Sequence, residues 1–138
     1  MRTIARLLLL LLIMISGSCS FGDQAAIKSS VTQVFQAAQR GDIAFALDFL
    51  SSQNPTKQLL LAKKSSSDQE FDRAVADLGT RTRQSLETAK LRVHSITIEG
   101  NRARVDCSII GSKRKWEGSV QVIQENGQWL LLDLPDLP

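Results

Sequence analysis

The hydrophobic period changes once along the chain, near Leu91. Before it, apolar residues recur at helical spacing; after it, they alternate. Ile27, Val31, Val34, Phe35 and Ala38 fall at i, i+4, i+7, i+8 and i+11, one stripe on one helix face. Asp23 offers that helix an N-cap, and Gly41 a left-handed stop. Asp42 then caps a second, mostly apolar helix over "IAFALDFL", Ile43 to Leu50. Asn54 followed by Pro55 combines a cap with an N1 proline and predicts a third helix from Pro55 to Lys64. "SSSDQE" reads as a break, within which Ser67 and Glu70 have capping-box spacing. Phe71, Val75, Leu78, Leu86 and Ala89 predict a long fourth helix, weakened in its middle by Gly79, Thr80 and Thr82.

Past Leu91 the pattern predicts four strands. Ala103, Val105, Cys107 and Ile109 alternate with Arg102, Arg104, Asp106 and Ser108. Trp116, Val120 and Val122 share one face of the third strand, and Trp129 to Leu134 forms the fourth. Gly100-Asn101, Gly111-Ser112 and Asn126-Gly127 mark the turns, the last pair being the strongest hairpin signal in the chain. In the first strand Leu91 and Val93 are odd while Ile96 and Ile98 are even, a parity slip that places a bulge near His94-Ser95. Helices followed by a meander predict an α+β fold: N-terminal helices packed on a C-terminal curved antiparallel sheet of about four strands.

The N-terminus obeys a different rule. Leu7 to Ile15 is an unbroken apolar run behind Arg2 and Arg6, followed by the small residues Ser16, Gly17 and Ser18. At about 1.5 Å per residue the run spans roughly half of a 30 Å hydrocarbon core, so it is a secretory signal rather than a membrane span. Cys19 directly after the small residues resembles the lipobox of bacterial lipoproteins, in which the cysteine carries the lipid. Ser16 stands where that pattern prefers Leu, and ordinary cleavage after Ser18 or a few residues later is the competing reading. The expected organisation is a lipoprotein-type signal over residues 1–18, a short tether over 19–24 and one α+β domain over 25–138. Lipidation at Cys19 would hold the protein at the periplasmic face of the envelope, with Ser20 in the next position favouring the outer membrane; without it the protein would be soluble in the periplasm or secreted.

Charge then loses most of its interest. Residues 1–18 hold two of the 17 Lys and Arg and none of the 14 Asp and Glu, so the mature net charge falls from +3 to +1. Nothing in that balance calls for nucleic acid. The two cysteines, Cys19 and Cys107, cannot pair if Cys19 carries lipid, and the alternation makes Cys107 a small buried hydrophobe.

The helix break in "VFQAAQRGDIAFALDFL", the hairpin in "ITIEGNRARVDCSI" and the Trp-Leu ending of "VIQENGQWLLLDLP" together resemble the nuclear-transport-factor-2-like superfamily, and more narrowly small bacterial lipoproteins of uncharacterised function with such a domain. The resemblance covers most of residues 23–135 and implies a cone-shaped α+β fold. Enzymes of the superfamily set Asp, His or Tyr groups inside the cone. This chain has no Tyr and one His, so the resemblance carries over no catalytic residue.

Few side chains invite chemistry. Arg40-Gly41-Asp42 reads as a helix stop and cap rather than an adhesion motif. His94 has no partner nameable from sequence. No metal-ligand cluster or phosphate loop is present in the pattern, and no cofactor is expected. Trp116 and Trp129 are candidates for a ligand pocket. Arg102, Arg104, Lys113 and Lys115 alternate outward on neighbouring strands and are candidates for contact with an anion, diluted by Asp106 and Glu117. The function expected is a non-enzymatic cell-envelope lipoprotein that binds a small apolar ligand or a protein partner; the alternative is a periplasmic immunity-type or inhibitor protein that blocks a partner.

Overall fold

The structure is a computed structural model that describes residues 22–135. The signal, Cys19 and the first part of the expected tether lie outside the described residues. Helix α1 occupies residues 22–40, so it already includes residues assigned to the tether. Then come α2 (Ile43–Leu47), α3 (Pro55–Ser66) and α4 (Asp68–Leu86). Strands β1 (Lys90–Glu99), β2 (Arg102–Ile110), β3 (Lys115–Glu125) and β4 (Gln128–Leu131) form one antiparallel sheet in the order β1-β2-β3-β4. The layering is the expected one, four helices followed by a curved four-stranded sheet.

The helix ends are set by local side chains. Asn54 Oδ1 accepts from the backbone N–H groups of Thr56 (2.9 Å) and Lys57 (3.2 Å), with Pro55 at N1. Ser67 Oγ accepts from Glu70 N at 3.4 Å, and Asp42 Oδ1 from Phe45 N at 3.2 Å. Asp23 is not a cap. It lies within α1, and its Oδ1 accepts the indole N–H of Trp129 at 3.2 Å.

Three element bounds differ from the sequence expectation. Helix α2 stops at Leu47 because Leu50 forms a parallel bridge with Leu131: Leu131 N donates to Phe49 O and Ser51 N to Leu131 O, both at 2.8 Å. The break between α3 and α4 is Ser67 alone. Strand β4 ends at Leu131 instead of Leu134, since Asp133 bends back and its Oδ1 accepts from Gln121 N at 2.8 Å.

The hairpins at Gly100-Asn101 and Asn126-Gly127 are two-residue turns, closed by the pairs Glu99↔Arg102 and Glu125↔Gln128. Asn126 and Gly127 have φ of 50° and 78°, the left-handed values a type I′ turn needs. The Gly111-Ser112 turn is wider than expected, with residues 111–114 between the paired Ile110 and Lys115. The bulge falls on His94: Val93 pairs with Cys107 and Ser95 with Asp106, leaving His94 without a partner in the ladder.

The core lies between α1 and the inner sheet face. Ile27, Val31, Val34 and Ala37 of α1 meet Ala103, Val105 and Cys107 of β2, Val120 and Val122 of β3, and Trp129 and Leu131 beyond. Ser30 shares the buried face of α1, where its hydroxyl donates to Trp129 O at 2.8 Å.

Candidate functional site: an apolar cone with a basic rim

The helices and the inner sheet face enclose an apolar cavity of about 120 Å³. Val31, Val34 and Phe35 line it from α1, Leu86 from α4, and Cys107 and Ile109 from β2. Leu134 and Pro135 line it from the C-terminal segment. Thr82 also reaches the cavity, but its hydroxyl lies 3.0 Å from Leu78 O and 3.2 Å from Gly79 O, turned back to its own helix. The other side chain on this wall with a heteroatom is Cys107, whose thiol pKa is pushed up by burial and further by the Asp106 and Asp133 carboxylates. A thiol so placed is a poor nucleophile.

Two clefts adjoin the cavity. One, of about 280 Å³, lies between the end of α4 and the β2–β3 loop, and shares Leu86 and Ile109 with the cavity. The other, of about 650 Å³, lies between α1, α2 and α4, and shares Val34, Ala38, Leu134 and Pro135 with it. Asp133 lines the second cleft. Its burial raises its pKa against the lowering effect of the Gln121 N–H. Sequence reasoning missed Asp133 because the pattern places it within the fourth strand, whereas β4 ends at Leu131 and the carboxylate accepts from Gln121 N.

The two tryptophans are in different situations. Trp129 is 3% exposed and belongs to the core between α1 and the sheet. It does not line the cavity or either adjoining cleft. Trp116 is half-buried, lines the 280 Å³ cleft and lies over Gly118: a Cβ built there would stand 2.7 Å from Trp116 Cζ2. That ring occupies the space a side chain at residue 118 would need.

Arg102, Arg104, Lys113 and Lys115 do not form one patch. Arg104 pairs with Gln121 across β2–β3, whereas Lys115 pairs with Ile110, so the two groups lie at opposite ends of the strands, separated by roughly 20 Å at about 3.3 Å per residue. Arg104 Nε lies 3.4 Å from Asp106 Oδ1, and Lys115 Nζ 2.8 Å from Glu117 Oε1. Only Lys113 and Lys115, with Arg114, line a cleft together with Trp116.

On the outer sheet face, His94 does find a partner. Its Nε2 is 2.6 Å from the Oγ of the buried Ser108, which in turn lies 3.3 Å from Glu117 Oε1. The bulge swings His94 onto this neighbour. The Lys115 ammonium and the Ser108 hydroxyl hold the Glu117 carboxyl below its usual pKa, Lys115 foremost. The network faces away from the cone, since Ser108 alternates with Cys107 and Ile109, both of which line the cavity.

Among the described residues no helix is long and apolar enough to cross a membrane, and no group of three or more His, Cys, Asp or Glu is placed to hold a metal ion. No family model matches the chain, and no curated protein does. Solved structures do match. An NTF2-like protein of unknown function from Shewanella baltica OS155 aligns over 82% of this chain and 90% of its own, with a TM-score of 0.57 at 13% identity. A Campylobacter jejuni protein, provisionally named an NTF2-like transpeptidase, aligns over 78% of this chain and 98% of its own, with a TM-score of 0.50 at 12% identity. At such identities the likeness is one of fold: the chain has the NTF2-like α+β fold that its hairpins and helix break resembled.

Proposed function

We propose that this chain is a non-enzymatic cell-envelope lipoprotein that uses the cone of its NTF2-like fold to bind a small apolar ligand. The observation that carries the reading is the cavity between α1, α4 and the sheet, walled by hydrocarbon, with its one hydroxyl bonded back to α4. At about 120 Å³ it approaches the roughly 150 Å³ of an apolar cavity that stays dry and takes up benzene. The envelope part of the reading rests on the basic, apolar and small segments that precede Cys19.

The name of the Campylobacter relative suggests group transfer, and that chemistry needs an exposed nucleophile beside a base. Here the cavity thiol belongs to Cys107, its pKa raised by burial, while His94 bonds Ser108 on the other side of the sheet. This arrangement favours binding over catalysis.

Titration of the processed chain (residues 19–138) with 1-octanol, followed by its melting temperature, tests the cone. A saturable rise is expected; no rise would refute the binding reading. An intact mass of the protein from envelopes tests the anchor: acyl mass on Cys19 is expected, and an unmodified N-terminus would refute it.

A further inference from the structure

We infer that the cone's ligand is an anionic single-chain amphiphile, with its tail in the apolar cavity and its head group on the β2–β3 loop at Lys113 and Arg114. The inference rests on the proposed binding role of the cone and adds the chemical class of what it binds.

Leu86 and Ile109 line both the cavity and the 280 Å³ cleft and stand between them, packed with Ala89, so a chain reaching from one space to the other passes these two side chains. On the far side of those two side chains the lining changes character. Trp116 presents a half-buried indole, and Lys113, Arg114 and Lys115 form the outer wall. Oil on one side and cations on the other, joined by an aromatic ring that tolerates both, is the complement of a molecule with an apolar tail and a charged end.

The sign of that end follows from what faces it. No acidic residue lines this cleft. Glu117 takes Lys115 at 2.8 Å, but Lys113 and Arg114 make no ion pair among the described residues. The end of α4 would normally repel an anion, because its last carbonyls point outward unbonded. Here Gln39 reaches across from α1 and donates to both Leu86 O (3.0 Å) and Ala89 O (2.7 Å). Leu86 O also accepts from Ala89 N at 3.0 Å, so these two acceptors, both of residues lining the cleft, are already occupied.

The test compares octanoate, 1-octanol and octyltrimethylammonium, which share a tail and differ in head charge. Each is titrated into the processed chain, and into Lys113→Glu/Arg114→Glu, with tryptophan emission and calorimetry as readouts. Both substituted residues are exposed in a loop, so the fold and octanol binding should be retained. Octanoate is expected to bind tightest to the native chain, and to lose about tenfold in the double variant and at high salt, as screened pairs of this geometry should. Equal affinity for the three head groups would overturn the anionic class while leaving the cone reading intact. So would a preference for octanoate that survives the double variant, since the head would then sit elsewhere. If none of the three binds, the cone reading falls and the inference falls with it.

Discussion

Gly41 and Gly79 bring α4 and the α1–α2 junction into backbone contact. A Cβ on Gly41 would stand 2.8 Å from Gly79 O, and one on Gly79 would fall on Gly41 O. The approach seats the middle of α4 on the turn that begins α2. Gly79→Ala removes a residue that costs about 1 kcal/mol in a helix interior, yet it should destabilise the protein by about 1–3 kcal/mol net, because the two backbones must part. Urea denaturation measures this; a stabilised variant would mean the helices do not meet there.

The tryptophans should respond very differently to truncation. Trp129→Ala removes a buried ring, its hydrogen bond to Asp23 and the packing beside Ser30, and should cost about 3–5 kcal/mol. Trp116→Ala should cost about 1 kcal/mol, the scale of a half-exposed site. Melting curves without ligand separate them, and similar losses for both would place Trp116 in the core rather than at the cleft.

Cys107 should resist thiol reagents in the folded protein and react after denaturation. It is 2% exposed, and burial pushes its pKa upward. Cys107→Ser places a hydroxyl on an apolar wall and should cost about 1–3 kcal/mol. Labelling followed by mass measurement checks the first point and chemical denaturation the second.

Asp133 and Glu125 should give opposite pH dependences. Burial raises the pKa of Asp133. Below the ordinary carboxylate range the group is protonated both folded and unfolded, and no penalty acts. As pH rises through that range toward the raised value, the unfolded chain ionises first and the fold loses stability. Asp133→Asn keeps an oxygen for Gln121 N and removes the charge, so its advantage over the native chain should grow across that window. Glu125 has a lowered pKa, held down chiefly by the Ser51 hydroxyl at 2.8 Å, with Ser52 adding to it. Its contribution is present above the ordinary value and is lost as pH falls through the lowered one, so Glu125→Gln should be most damaging near neutrality and converge with the native chain in acid. Stability against pH for both variants tests the pair.

What the sequence made legible was local. Asn54, Pro55, Ser67 and Asp42 act on backbone groups two or three residues away, and the Gly100 and Asn126 turns fix their own hairpins, so each could be read in isolation. The His94 bulge showed as a change of parity in one strand. The features that eluded the pattern are settled by distant partners. Leu50 leaves α2 because Leu131 is there to pair with, and Asp23 serves an indole 106 residues away. Gly79 looked like a weakness in α4 and is instead a point of approach to Gly41. Alternation assigned Arg104 and Lys115 to strand faces but said nothing of their separation along the strands. The cavity itself is a property of how α1, α4 and the sheet meet, and Gln39, whose amide bonds the carbonyls of Leu86 and Ala89 beside one cleft, carried no signal at all.

The unpartnered residue in β1 has a consequence for the molecule's behaviour at high concentration. In the β1-β2-β3-β4 sheet, β4 is bridged at Leu131 by Leu50, while β1 pairs on one side only among the described residues. A long flat strand in that position would invite another chain to continue the ladder. The extra residue at His94 interrupts the regular spacing of N–H and C=O groups halfway along, and Lys90, Arg92 and Glu99 bring charge to the same strand. A feature that looks like a defect in the ladder thus works against edge-on pairing: a strand arriving there could keep register over only about half the length of β1.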